Sequence, residues 1–323
     1  MGQVWNLVAD IGGTNARFSA ILDGQLESQF QFIHSVEEYP QFEDLIAIIL
    51  KEIVATTGWK SSPKTACFAV ACPPDTEIIS FTNSHWSFSK AKLKALLGCR
   101  ILSVINDFEA VAHGITELCD EELVQVGGDG PAENKAIGIL GAGTGLGVAG
   151  LVPSNGGYVV LDTEGGHADY SPINDLQSAV VSCLRARFGR VSLERLLSGK
   201  GLLNIYSALC SIEDVEMKFD KPSEIVAAAL DDLDTKALQT LNMFCEGIGT
   251  AAGNLALTFG AKGGIYIAGG VIPRFQDFFI ASSFRKKFED KGRFVSYLKP
   301  IPVYIVVREN LGLLGAAIKL RQI

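Results

Sequence analysis

Two glycine-rich turns, each clamped between apolar runs, constrain this chain more than any other feature: "DIGGTNAR" at residues 10–17 and "GAGTGLG" at residues 141–147. Glycine adopts dihedrals closed to other residues and lets an anion approach the main chain, so a turn exposing successive N–H groups makes a concave anion site. One such turn alone is an ordinary hairpin. Two of them, with Asp10 ahead of the first and Thr14 and Thr144 inside them, predict a polyanion gripped from both halves of the chain. Neither is a standard fingerprint. A dinucleotide loop needs G-x-G-x-x-G between strand and helix, whereas Gly141, Gly143, Gly145 and Gly147 are evenly spaced and lead into another strand. A Walker loop needs Gly-Lys followed by Ser or Thr, and Gly199-Lys200 is followed by Gly201.

Around the first turn, residues 4–9, 15–22 and about 26–33 read as strands, with a hairpin dipeptide at Asp23-Gly24. Ser35 and Glu38 offer a capping box for a helix that places Phe42, Leu45, Ile46, Ile49 and Ile53 on one face. A strand over 65–74, a helix over 89–98, a strand over 100–107 and a helix from Phe108 complete a βββαβαβα order. From Lys135 the pattern restarts as strand, glycine turn, strand, Asn155-Gly156-Gly157 turn and strand. Helical periodicity then dominates, including residues 234–259, before a strand over 263–270. The expectation is an α/β fold with a pattern-level repeat: a small α/β lobe of residues 1–117 plus 307–323, and a large α+β lobe of residues 118–306. No Pro/Gly-rich linker marks the boundary. The last strand "PVYIVVR" and the helix from Asn310 could pack on either sheet.

A net charge of -8, from 28 basic and 36 acidic residues, argues against nucleic acid or an anionic membrane as partner. The longest aliphatic run, Leu45 to Leu50, is far too short to span a bilayer, and the opening residues carry no secretory pattern, so a cytoplasmic location is expected. Seven cysteines without a CxxC pair read as reduced thiols filling core space, and support no zinc cluster.

Eight segments extend the reading: "DIGGTNAR", "TNSHW", "INDFEAVA", "GAGTGLGVA", "EGGHADY", "RVSLERLLSGKGL", "GGIYIAGGVIPRF" and "FEDKGRF". In order and spacing they resemble the bacterial glucokinases of the hexokinase, or actin-like ATPase, superfamily. No cysteine-rich zinc motif follows "EGGH", which separates the chain from zinc-bearing sugar kinase and repressor relatives. The resemblance implies a duplicated ribonuclease H-like fold, two lobes around a central cleft, and ATP-dependent phosphorylation of glucose at its 6-hydroxyl as the entry step of glycolysis. It implies that Gly12, Gly13, Thr14 and Asn15 on one turn, and Gly141, Gly143, Thr144 and Gly145 on the other, hold the phosphates of ATP. Gly269 and Gly270 would hold the adenosine side, and a homodimer is implied as well.

Asp107 ends the apolar strand "ILSVIN", where open α/β sheets place ligand groups. An Asp there, taken alone, is more often a helix cap. The resemblance makes it the general base for the sugar hydroxyl, and assigns Asn106, Asp107, Glu164, His167 and Glu194 to glucose, with Asn83 as a neighbour. Outside that pattern, Glu164 and His167 read as solvated turn residues and Glu194 as a surface charge. With no P-loop lysine, phosphate charge falls to main-chain N–H groups, Thr144 and Mg2+, whose shell Asp10 would reach through water. His34, His85 and His113 read as structural or solvent-facing. Gly247, Gly249 and Gly253 in one long helix suggest close packing near the nucleotide. Two other classes stay in view: a sugar-sensing repressor on the same fold, which would need a DNA-reading module, and a filament-forming or chaperone-like ATPase indifferent to hexose.

Overall fold

The computed structural model describes residues 3–81 and 84–323. The chain divides into two compact units, Met1–Leu118 with Arg308–Ile323, and Cys119–Val307.

In the first unit β1 (Trp5–Ile11) and β2 (Asn15–Leu22) form an antiparallel hairpin, followed by β3 (Gln31–Ser35) and α1 (Phe42–Thr57). The third strand lies later than its pattern suggests. The capping box is absent: Ser35 precedes a short 3-10 turn, makes no side-chain cap bond, and the helix starts only at Phe42. Pro40 explains the delay, because a residue preceding proline is pushed out of the helical region. Glu43 and Asp44 in the first turn suit the helix dipole, and Gly58 ends the helix at φ 73°. Then come β4 (Thr65–Val70), a small hairpin of β5 (Ile78–Ser80) and β6 (Ser87–Ser89), α2 (Lys90–Leu97), β7 (Ile101–Asn106) and α3 (Asp107–Ile115).

The second unit runs β8 (Leu123–Gln125), β9 (Ile137–Ala142), β10 (Leu146–Ser154), β11 (Gly157–Thr163), α4 (Asp175–Phe188), α5 (Leu193–Leu196), α6 (Gly199–Ile212), α7 (Pro222–Leu230) and α8 (Thr235–Phe259). It closes with β12 (Ile265–Ala268), α9 (Gln276–Ala281), α10 (Phe284–Glu289), α11 (Val295–Leu298) and β13 (Val303–Val306). The last helix, α12 (Leu311–Arg321), returns to the first unit.

The first unit's main sheet has the order β3-β2-β1-β4-β7, and the second unit's β11-β10-β9-β12-β13-β8. Across the first five strands both sheets share one plan: two strands in antiparallel pairing lead to a first strand that is followed, each parallel to the one before, by two more. This settles the open end of the chain. The strand before Arg308 completes the second sheet, whereas α12 packs in the first unit.

β1 is apolar almost throughout because both its faces are covered. Trp5, Leu7, Ala9 and Ile11 share a core with α1 residues Phe42, Leu45, Ile46, Ile49 and Ile53. Val8, on the opposite face, joins Cys67, Ala69 and Ile105 beneath Ala110 of α3 and Leu313, Ala316 and Ala317 of α12. α3 and α12 approach closely enough that a Cβ at Gly315 would strike the Ala110 carbonyl. Lys319 adds an ion pair to Glu109 at 2.9 Å.

Candidate active site

In the first unit the candidate residues gather at the C-terminal ends of the parallel strands. The turn at residues 12–14 closes the β1–β2 hairpin, with Gly12 N–H donating to the Asn15 carbonyl at 3.0 Å. In register, Ile11 lies beside Val70 and Val70 beside Asn106, so Asp10 and Asp107 stand on the same edge of the sheet. Asn106 is buried and caps α3: its Oδ1 accepts from Phe108 N–H at 2.7 Å and Glu109 N–H at 3.3 Å. That leaves its amide N–H pair to act as donor. Asp107 occupies the first helical position, where its Oδ1 accepts the Phe108 N–H at 2.9 Å. The cap of α3 is therefore Asn106 rather than Asp107, whose charge suits the first turn of the helix. The thiol of Cys72, buried near it, is pushed up to about 11 by burial and by the charge of Asp107.

Asp10 faces a different environment. Burial raises its carboxyl above the ordinary range, and Arg17, its cross-strand partner, only partly offsets this. Gly312 at the start of α12 approaches so closely that a Cβ there would lie 2.8 Å from the Asp10 carboxyl carbon. Neither Arg17 nor Gly312 is singled out by sequence reasoning. Only the cross-strand register, countable from the hairpin turn, could have pointed to Arg17.

The second unit repeats the arrangement. The β9–β10 hairpin is closed by residues 143–145, with Gly143 N–H donating to the Gly145 carbonyl at 2.9 Å. Gly269 follows β12 at φ 89°, and a Cβ on it would collide with the Ala142 backbone, so the Gly269-Gly270 turn needs glycine to lie against the end of β9. The turn carrying Glu164 and His167 lies on β10, where Gly165 meets Val148 and a Cβ at Gly166 would strike the Leu146 carbonyl. Glu164 and His167 are exposed, 3.8 Å apart. Arg190 fixes their turn by donating to the His167 carbonyl at 2.8 Å and pairing with Asp169 at 2.7 Å. Glu194, on the short α5, accepts the Leu146 N–H through Oε2 at 3.0 Å. The structure thus brings Gly141, Gly143, Thr144, Gly145, Glu164, His167, Glu194, Gly269 and Gly270 into one neighbourhood of the second unit.

Asn83 lies outside the described residues. His34 bridges Tyr39 and Glu52, His85 contacts the Tyr39 carbonyl, and His113 is buried on α3. The long-helix glycines do mark close packing, but against protein: Gly249 and Gly253 face the Phe284 and Phe288 carbonyls of α10, and Gly247 faces Leu197.

A crystal structure of glucokinase from an Antarctic psychrotroph superposes with TM-score 0.84 at 33% identity, covering 99% of each chain. A glucokinase from Balamuthia mandrillaris, solved in complex with glucose, superposes at 0.82 with 20% identity over 99% of this chain and 94% of that one. The fold is that of sugar kinases of the actin-like ATPase type. Residues 7–323 match the glucokinase family profile, and a glucokinase from Shigella sonnei is 45% identical across 98% of this chain and 97% of its own. The chain belongs to the glucokinase family.

Proposed function

We propose that the protein transfers the terminal phosphoryl group of ATP to the 6-hydroxyl of glucose, giving glucose 6-phosphate and ADP. The observation that carries this reading is that each unit closes a glycine hairpin, and that the first unit sets one carboxylate, Asp107, directly after a strand end on the edge that bears its own hairpin. In this reading the two units are the lobes of a duplicated, ribonuclease H-like kinase, and their residues serve one substrate pair.

Phosphoryl transfer asks the protein mainly for placement and charge neutralisation. Main-chain N–H groups of residues 12–15 and 141–145, with the Thr144 hydroxyl, would cradle the phosphates, and Gly269-Gly270 the adenosine side. Asn106 donates to one sugar hydroxyl. Glu164, His167 and Glu194 accept or donate to others, and Asn83 stands in the same assignment. Asp107 takes the 6-hydroxyl proton as that oxygen bonds to the terminal phosphorus, and the bond from phosphorus to the ADP oxygen breaks.

Asp10 fits Mg2+ held through water: its carboxyl loses hydration on burial, and a nearby cation compensates for that loss. Among the described residues no group of three or more His, Cys, Asp or Glu side chains could hold a metal, so water and phosphate would complete the shell. When bound, Mg2+ would neutralise charge on the phosphate oxygens. A cytoplasmic homodimer belongs to the same proposal, and among the described residues no helix is long and apolar enough to cross a membrane.

The experiment is a phosphorylation assay of the purified protein with ATP and Mg2+ across a hexose panel. Glucose should be turned over and give glucose 6-phosphate. ATP hydrolysis indifferent to every hexose would overturn the reading in favour of a motor-like or assembly ATPase.

A further inference from the structure

We propose that Glu194 is a positioning residue for the second glycine hairpin, so that one carboxylate ties the sugar side of the site to the phosphate side. The sugar half of this statement rests on the function proposed above. The hairpin half rests on geometry alone.

Glu194 Oε2 accepts the N–H of Leu146, the first residue of β10 after the turn, at 3.0 Å. A charged acceptor makes this bond stronger than a neutral one. The glycine next to it carries the same message. Gly145 has an ordinary φ, and among the described residues the only atoms near a Cβ built on it belong to the Glu194 carboxylate. The residue is therefore small because the carboxylate needs the space, not because the backbone demands glycine.

α5 is only four residues long, yet it is held firmly around Glu194. Leu193 N–H donates to the Ala168 carbonyl at 2.8 Å, Ser198 Oγ donates to the Glu194 carbonyl at 2.9 Å, and Asn204 donates to the Arg195 carbonyl at 2.9 Å. A second tether runs parallel to the first: Gly199 N–H donates to the Gly143 carbonyl at 2.8 Å. The hairpin tip is thus clamped on both of its sides by residues 194–199. A carboxylate offers about four acceptor positions, so one bond to Leu146 leaves capacity for sugar hydroxyls. A sugar that orders this side chain also orders the hairpin, and the linkage must be reciprocal.

The test measures ADP binding with Mg2+ by calorimetry, without sugar, and glucose binding separately. Glu194→Ala should weaken ADP by about tenfold, the scale of one hydrogen bond to a charged group. Glu194→Gln keeps an oxygen for the Leu146 N–H but not its charge, so ADP should weaken clearly less than in Glu194→Ala while glucose binding falls. Gly145→Ala should weaken ADP in the parent protein yet add no loss to Glu194→Ala, where the obstructing carboxylate is gone. ADP bound equally by the parent and Glu194→Ala, or full additivity of the two changes, would overturn the hairpin role without touching the kinase reading. Glucose binding unchanged in both Glu194 variants would overturn the sugar half. Should Glu194→Ala not fold, Glu194→Gln and Gly145→Ala decide the matter.

Discussion

Asp107 stands where a strand passes into a helix. As the first residue of α3 it accepts the Phe108 N–H, directly after the last residue of β7, and the proposed chemistry asks it to take a proton as well. Alanine is a good helix former, so Asp107→Ala should leave α3 intact and lower kcat by on the order of 10² to 10⁴ while glucose still binds. Near-normal turnover would remove Asp107 from the chemistry. Asp10 is the opposite case, a carboxylate whose ionised form is disfavoured by burial. Because its folded value is raised, its ionisation costs stability at neutral pH, a cost absent at low pH and growing as pH rises through the folded value. Asp10→Asn should therefore raise the melting temperature of the metal-free protein at pH 7, with the gain shrinking in acid, and weaken Mg2+-dependent ADP binding. Thermal melts across pH and calorimetry together check both arms.

The elements show where local pattern suffices and where it does not. The glycine hairpins were legible because a turn is set by a few consecutive residues, and β1 and α1 because burial repeats with a fixed period. The capping box at Ser35 and Glu38 misled, since a proline two residues further on outweighs a side-chain cap. The glycines of α8 announced close packing but not its partner. Gly249→Ala and Gly253→Ala would drive Cβ into the Phe284 and Phe288 carbonyls, and each should cost about 1–3 kcal/mol in denaturant unfolding, with activity per folded molecule retained. At the start of that helix, Asp234 accepts the Ala237 N–H at 2.9 Å and pairs with Lys218 at 2.9 Å. Burial pushes its carboxyl up, yet Lys218 and the helix amides bring the net value below the ordinary range. Asp234→Ala should cost about 1 kcal/mol. That contribution is present above the unfolded carboxylate value and lost as pH falls through the lowered folded one.

For the molecule as a whole, the outermost strand of the second sheet offers a test of assembly. Among the described residues β11 pairs with β10 alone, and the facing pair Val152 and Val159, with Leu161, leaves apolar surface exposed. A homodimer should sediment at twice the 34.6 kDa of one chain, and a mass of one chain at every concentration would reject it. By itself the sequence determined the alternation of strands and helices, the two glycine turns and the family, because turn chemistry and periodicity are local properties and the motif spacing spans the chain. Tertiary structure alone decided that Glu194 reaches Leu146, 48 residues away, that Gly312 closes on Asp10, and that the strand before Arg308 and the helix after it join different units. Those contacts depend on how remote elements pack, and the approach of two side chains across a packed interior has no signature in the spacing of either.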